Sequence, residues 1–137
     1  MGVLSRLANT TVEMAARLDV LAERGLKTWV EEFAVLHALQ VQAQALLDLV
    51  VRIAAELGYR PTSPREAARL LLAEGLIDDD EYALLRRVAG FRNVVVHEYM
   101  VVDMGVVRSI LGSREYRRVA RLAVELLERA EGRGVDC

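Results

Sequence analysis

The sequence has few of the residues that build disulfide frameworks, metal sites and aromatic binding platforms. Its 137 residues include one Cys, two His and two Pro, and aromatic residues make up 5%. The single Cys137 has no partner for an internal disulfide, which fits a reducing compartment. His37 and His97 form no paired-His or carboxylate–His motif at ligand spacing, so we predict no metal site.

Long apolar runs are also missing. No stretch of eighteen or more uncharged apolar residues occurs, and Arg6, Glu13 and Arg17 stand where a signal peptide would need an apolar segment. We therefore expect a cytoplasmic protein that does not contact a membrane. Gly-rich phosphate loops and nucleophile elbows are absent as well, which disfavours the familiar enzyme classes.

The charge balance restricts the kind of partner. The chain has 18 basic and 20 acidic residues, for a net charge of −2. This excludes a broad electrostatic footprint for nucleic acid, so any RNA binding must be local. All basic residues except Lys27 are arginines, and the planar fork of arginine suits phosphate better than an ammonium group does.

Apolar periodicity and capping residues predict helices along the chain. Two long helices have residues spaced by three and four, and they end near Gly25 and Gly58. Ser63 followed by Pro64 predicts the start of a third helix, and Asp78, Asp79 and Asp80 supply a cap and an acidic first turn for a fourth. The apolar stripes of the long helices are Leu4, Leu7, Thr11, Met14, Leu18 and Leu21, and Leu36, Leu39, Ala43, Leu46, Val50, Ile53 and Leu57.

A last helix is expected from about Ser113, and the segment 101–111 is ambiguous. The run Val94-Val95-Val96 with Val101-Val102 could form a strand because its residues are β-branched, but no second strand is available to pair with it, so we reject the strand. We predict an all-α fold, an antiparallel bundle of five to six helices. It forms a single domain over residues 1–137, with 131–137 as a flexible tail.

One cluster of residues could support chemistry. Arg92, Asn93, His97 and Tyr99 lie within a short stretch beside apolar residues. On a regular helix, Arg92 and His97 would point about 140° apart. If these two residues act together, the helix must break locally or a second subunit must complete the site.

This cluster resembles a known family. The stretch from Gly90-Phe91-Arg92-Asn93 to His97-Glu-Tyr99 matches the R-x4-H-x-Y motif of the HepT-like branch of the HEPN superfamily. The similarity includes the 58–64 turn and covers most of residues 30–127. The resemblance implies a HEPN-like helical fold and a metal-independent endoribonuclease toxin that needs no cofactor and acts on RNA as a homodimer.

The resemblance also implies residue roles. Arg92 and His97 would be catalytic, and Asn93 would orient the imidazole or the phosphate. Tyr99 resembles the tyrosine that a partner MntA-type nucleotidyltransferase modifies with AMP to silence the toxin. On the second helix, His37, Gln40, Gln44 and Asp48 form a polar stripe that is most simply solvated. Asp48 is the member expected to support the site, since relatives often have an acid there.

Two other functions remain open at this stage. The chain could be a non-catalytic helical subunit that presents nucleotide or substrate to a nucleotidyltransferase, or a plain dimerisation module. Arg92 fits both a nuclease and a phosphate-binding subunit. His97 favours the nuclease, because an imidazole with a pKa near 6.5 can exchange protons at neutral pH, whereas phosphate binding alone does not need it.

Overall fold

The computed structural model describes the backbone of residues 2–97 and 103–137, and the side chains of 2–92 and 103–137. Within these residues the chain forms six helices and no strand, which confirms the predicted all-α bundle. The helices are α1 (Val3–Arg24), α2 (Trp29–Glu56), α3 (Pro64–Ala73), α4 (Asp79–His97), α5 (Met104–Ser113) and α6 (Glu115–Gly132). The long helix α2 packs against all five others.

Side-chain caps fix the helix starts that the sequence predicts. Ser63 Oγ accepts a hydrogen bond from Glu66 N at 3.1 Å, and Pro64 follows as the first residue of α3. Asp78 Oδ1 accepts from Glu81 N at 2.8 Å, and Glu81 Oε1 accepts from Asp78 N at 3.0 Å. This reciprocal pair satisfies two backbone donors that a helix start leaves unpaired.

Helix α2 begins before its apolar stripe. The stripe starts at Leu36, and the helix begins at Trp29. Thr28 and Glu31 form a capping box there, with Val30 N donating to Thr28 Oγ1 at 3.2 Å. The stripe does not reveal this first stretch because its large apolar residues face solvent: Trp29 is 68% exposed and Phe33 is 66% exposed.

The ambiguous segment forms α5 from Met104 onwards. Asp103 Oδ1 accepts from Gly105 N at 2.8 Å and caps this helix. Between α5 and α6 stands Arg114, a non-glycine residue in the left-handed region with φ 56°. This conformation costs about 1–2 kcal/mol for an L-residue.

Asp19 of α1 stabilises the α5–α6 corner. Its Oδ1 accepts hydrogen bonds from Arg114 Nη1 at 3.1 Å, Tyr116 Oη at 2.7 Å and Arg117 Nε at 2.9 Å. The hydrogen bond from Tyr116, followed by that from Arg117, lowers the pKa of the Asp19 carboxyl. Burial and the same hydrogen bond raise the pKa of Tyr116. One carboxylate thus ties α1 to the corner.

The core consists of two apolar clusters separated by a polar layer. Thr11 and Gln42 are the two fully buried polar residues among the described side chains. Gln42 Nε2 donates to the Thr11 carbonyl of α1 at 3.1 Å and to the Tyr116 carbonyl of α6 at 2.9 Å. Because both amide hydrogens are used, this layer fixes how α1, α2 and α6 align along their axes.

The C-terminal residues are packed, contrary to the predicted flexible tail. Val135 is 8% exposed and belongs to one of the apolar clusters. Ser5 Oγ donates to the Cys137 carbonyl at 3.0 Å. The Gly-rich composition of 131–137 indicated flexibility, but Gly134 uses its positive φ of 84° to turn the chain back onto the bundle.

One helix of the described residues has the length and composition of a membrane span. It is Trp29–Glu56, and 56% of its apolar window is buried inside the structure. A helix at the centre of a soluble bundle passes the same test, and α2 occupies that position here. The absence of membrane contact stays a prediction.

The polar layer gives a stability prediction. Replacing Gln42 with Leu removes both hydrogen bonds to buried carbonyls, so we expect the free energy of unfolding to fall by about 1–3 kcal/mol. The measurement is urea unfolding followed by circular dichroism. The control is Gln40→Leu, a half-buried position on the same helix where the change should stay within about 0.5 kcal/mol. Equal stability of the two variants would contradict a stabilising role for the layer.

Candidate functional site

Arg92 joins a hydrogen-bonded chain that runs from α4 to α2. Its Nε donates to Gln44 Oε1 at 3.1 Å, and Gln44 Nε2 donates to Asp48 Oδ1 at 2.8 Å. Gln44 and Asp48 are four residues apart, so they lie on adjacent turns of one helix face. The Gln44 amide therefore connects the Asp48 carboxylate to the Arg92 guanidinium through two hydrogen bonds. Each bond polarises the amide in the sense that strengthens the other.

The polar stripe on α2 separates into two parts. Gln44 and Asp48 reach the Arg92 site, whereas His37 is exposed and lines a groove between α1 and α2 that includes Met14 and Val20. Asp48 was the expected member of the stripe, but Gln44 makes the direct contact with Arg92. The sequence shows the position of Gln44 on the stripe, but it does not show that Gln44 contacts Arg92, which is 48 residues away.

The backbone of α4 settles one geometric alternative. The helix runs without interruption from Asp79 to His97, so no local break lies between Arg92 and His97. The five-residue separation places their Cα–Cβ directions about 140° apart around the axis. The local-break alternative is therefore wrong between these two residues, because α4 is continuous from Arg92 to His97.

Three predicted site residues lie wholly or partly outside the described part of the chain. Asn93 and His97 have a described backbone in α4, and their side chains fall outside the described residues. Tyr99 lies in the stretch 98–102, which is also outside. The roles expected for these three residues stay predictions.

Other arginines lie near Arg92. Arg86 and Arg87 precede it on α4 by one to two turns. Arg87 Nη2 donates to the Glu115 carboxylate, which offsets its charge, and the Arg86 guanidinium lies 5.9 Å from the Tyr82 ring centre. The additional residue is Arg65 of α3, which lines a surface depression together with Arg92. Its only sequence signal is its position just after the helix-starting Pro64.

Metal ligands and nucleophiles do not gather among the described side chains. These side chains contain no group of three or more His, Cys, Asp or Glu that could hold a metal ion. Cys137 is half-buried, and burial raises the pKa of its thiol. The groups described around Arg92 can bind an anion and position it.

Sequence comparisons place the chain in a family. The model of the family "Ribonuclease HepT-like" matches residues 9–125. A protein of Archaeoglobus fulgidus named "Putative RNase" is 26% identical over 114 residues, which are 83% of this chain and 85% of the relative. A second A. fulgidus protein of the same name is 27% identical over 114 residues, covering 83% and 82% of the two chains.

Solved structures share the fold. A toxin–antitoxin crystal structure with AMP-PNP has a TM-score of 0.76 at 19% identity, covering 89% of this chain and 96% of that one. A tri-AMPylated HEPN toxin of Shewanella oneidensis in complex with an MNT antitoxin has the same score and identity, covering 89% and 97%. The cytosolic protein YutE of Bacillus subtilis, of unknown function, also scores 0.76, at 15% identity, with 95% and 90% coverage. Since the family model spans both the Arg92 motif and the α2 stripe, the chain belongs to the HepT-like ribonuclease family.

Proposed function

We propose that this protein is a metal-independent endoribonuclease toxin that cleaves RNA as a homodimer. Arg92 and His97 are its catalytic residues, and Asn93 orients the imidazole or the phosphate. A cognate MntA-type nucleotidyltransferase silences it by attaching AMP to Tyr99. Membership in the HepT-like family supports the nuclease class, and the geometry of α4 supports the two-copy site.

The unbroken helix between Arg92 and His97 carries this proposal. Positions about 140° apart around one helix point in diverging directions, so in the proposed site one chain does not supply both the guanidinium and the imidazole to a single phosphate. Two copies related by a two-fold axis would place Arg92 of one beside His97 of the other, and the same contact would occur twice. The motif thus becomes a working site when two chains meet.

The proposed reaction needs no group that the motif lacks. The His97 imidazole takes the proton of a ribose 2′-hydroxyl, whose oxygen forms a bond to the adjacent phosphorus. The bond from phosphorus to the 5′-oxygen breaks, and an imidazolium returns a proton to that oxygen. The products are a 2′,3′-cyclic phosphate and a free 5′-hydroxyl. Arg92 cannot lose its charge, and it stabilises the developing negative charge on the phosphorane oxygens.

Gln44 and Asp48 hold the Arg92 side chain from the neighbouring helix α2. The Nε of Arg92 donates to the Gln44 carbonyl oxygen, and this bond restricts the rotation of the guanidinium. Arginine binds oxyanions best when its planar fork is held in one orientation. We therefore assign Gln44 as a positioning residue, with Asp48 holding the Gln44 amide through its own hydrogen bond.

The structures that share this fold support the proposed partner. Two of them are toxin–antitoxin complexes, and in one the HEPN toxin is AMPylated and bound to an MNT antitoxin. In the proposed silencing step, the Tyr99 phenol oxygen attacks the α-phosphorus of ATP and pyrophosphate leaves. The tyrosine then bears a phosphodiester two positions from His97. Its negative charge and bulk would oppose an RNA phosphate at the same place.

RNA cleavage in EDTA tests the nuclease. Wild-type protein should cleave RNA, and His97→Ala should lose about 10²–10⁴-fold in rate because the acid–base group is gone. Arg92→Ala should lose about 10²–10³-fold because the phosphorane charge is no longer stabilised. The control is His37→Ala, an exposed histidine in a separate groove, which should cleave like wild type. Equal cleavage by all four proteins would assign the activity to a contaminant.

Mixing the two inactive variants tests the shared site. Subunits of Arg92→Ala and His97→Ala that exchange into a mixed dimer would form one intact site from the unaltered Arg92 of one chain and the unaltered His97 of the other. Random exchange should restore about a quarter of wild-type activity for a symmetric dimer. No recovery, with mixed dimers verified by size and tag, would contradict a site built across two chains.

Gln44 gives a separate prediction for the hydrogen-bonded chain. Gln44→Leu removes the acceptor of the Arg92 Nε, and we expect kcat to fall about tenfold, or about 1.4 kcal/mol of barrier, with KM less affected. Gln44→Glu keeps an oxygen acceptor and should recover part of this loss. Gln40→Leu, one turn earlier on the stripe, is the control. If Gln44→Leu lowers the melting temperature so far that unfolded protein at the assay temperature accounts for the whole loss in kcat, this result would argue against positioning.

Intact mass measures the proposed modification. Incubation with the cognate nucleotidyltransferase and ATP should add the mass of one or more adenylates to the wild-type chain and abolish its RNA cleavage. Tyr99→Phe should remain unmodified, whereas Tyr82→Phe should be modified like wild type. An adenylate increment that persists in Tyr99→Phe would place the modification on another residue.

A further inference from the structure

We propose that Arg65, together with Arg86, forms a second phosphate-binding subsite that holds the RNA backbone beside the phosphate bound by Arg92. This inference rests on the proposed function, because it takes RNA as the substrate. It concerns residues of α3 and α4 that lie outside the R-x4-H-x-Y motif. The ligand is the phosphodiester backbone of a single RNA strand rather than its bases.

The Arg65 side chain crosses from α3 to α4. A Cβ added at Gly90 would stand 3.7 Å from Arg65 Nη2, so the guanidinium lies against the bare backbone of α4 at that glycine. Arg65 is also the residue shared by two neighbouring depressions: Arg92 lines one of them, and Arg86 lines the other. Arg65 therefore connects the site of Arg92 to Arg86.

Small residues make this strip of α4 accessible. Ala83, Ala89 and Gly90 lie between or beside the arginines, and Ala83 and Ala89 line the two depressions. Arg86 and Arg92 are six residues apart, which is about 9 Å along the helix axis and about 120° around it, and Arg65 lines the depression beside each of them. A strand of RNA can lie close to the helix here, because small residues separate the two arginines on the side that faces the depressions.

The charges around this strip have one sign. The charged residues that line the two depressions are Arg65, Arg86, Arg87 and Arg92, and no carboxylate is among the lining residues that the structure describes. Among the described residues Arg65 has no ion-pair partner, whereas Arg87 is bound to Glu115. The nearest acid along α3, Glu66, accepts a hydrogen bond from Thr62 N at 3.0 Å. A chain with a net charge of −2 thus has a local surface that attracts an anion.

The chemistry favours a backbone rather than a base. Within the described part of the chain, the residues lining the two depressions include no aromatic ring on which a nucleobase could stack. Guanidinium groups pair with phosphate oxygens in a bidentate way, and such contacts position a nucleic acid without reading its sequence. The subsite should therefore raise affinity for RNA of any sequence.

RNA binding by the full homodimer tests this subsite. The probe is a fluorescein-labelled, fully 2′-O-methylated RNA, which lacks the attacking hydroxyl and cannot be cleaved by the proposed reaction. Fluorescence anisotropy at several KCl concentrations gives Kd and its salt slope. Arg65→Ala should weaken binding about five- to tenfold at low salt and reduce the slope by about 0.7 for each phosphate that is no longer neutralised. Arg86→Ala should also weaken binding and reduce the salt slope.

The matched control is Arg69→Ala, one turn further along α3. Arg69 is exposed and lines neither depression, so this variant has the same charge change on the same helix and should bind RNA like wild type. Arg65→Lys keeps the charge and should retain most of the salt slope. Arg65→Gln serves as a second variant if Arg65→Ala does not fold, as judged by circular dichroism.

The outcomes separate this inference from the proposed nuclease. Equal Kd and slope for Arg65→Ala and Arg69→Ala would overturn the subsite, even if wild type cleaves RNA and His97→Ala does not. Weaker binding of Arg65→Ala with an unchanged slope would also overturn it, since the protein would then neutralise as many phosphates as before. If wild type binds RNA through Arg65 without cleaving it, the nuclease fails and the subsite stands.

Discussion

The bundle depends on one buried amide that bonds three helices at once. Gln42 Nε2 donates to carbonyls of α1 and α6, and it stands between two apolar clusters that could otherwise slide past each other. Apolar contacts are non-directional, so they hold helices together without setting their axial positions. A buried polar group sets these axial positions when its hydrogen bonds can form in only one arrangement of the helices. The axial position of α2 then determines which of its residues face each neighbouring helix.

Two glutamines on α2 serve opposite sides of the helix. Gln42 points into the core, and Gln44, about 200° further round, faces Arg92. The helix that supports the core therefore also orients the guanidinium of the site. A helix buried on most of its sides moves little, which suits a group that must hold a phosphate in a fixed place. The continuous helix α4 places Arg92 and His97 at positions about 140° apart around its axis, which is why the proposed site uses a second chain.

Local sequence signals predict much of this structure, and contacts between distant residues account for what they miss. Ser63, Asp78 and Gly25 mark helix ends because capping is decided within a few residues. The apolar stripe does not indicate the start of α2, since Trp29 and Phe33 face solvent and do not extend the stripe. The predicted tail failed because the packing of Val135 depends on the whole bundle.

The sequence likewise predicts part of the candidate site, and contacts between distant residues account for the rest. The motif of Arg92 and His97 is visible in the sequence through its resemblance to a family, and the polar stripe of α2 through its spacing. The bond between Gln44 and Arg92 joins residues 48 positions apart, and no periodicity indicates it. Arg65 reaches the α4 backbone at Gly90 because α3 packs against that helix, a contact that only the fold reveals.

The corner at Asp19 has a consequence for behaviour in acid. Three donors from α6 and its junction with α5 converge on one carboxylate oxygen, and they lower the pKa of that carboxyl below its value in the unfolded chain. The stabilisation that this carboxylate contributes is complete above about pH 4 and disappears as the pH falls through the lowered pKa. Protonation of this one carboxyl would therefore weaken its hydrogen bonds with Arg114, Tyr116 and Arg117 together. The junction of the last two helices should lose stability in acid, whereas the apolar contacts of the core do not titrate.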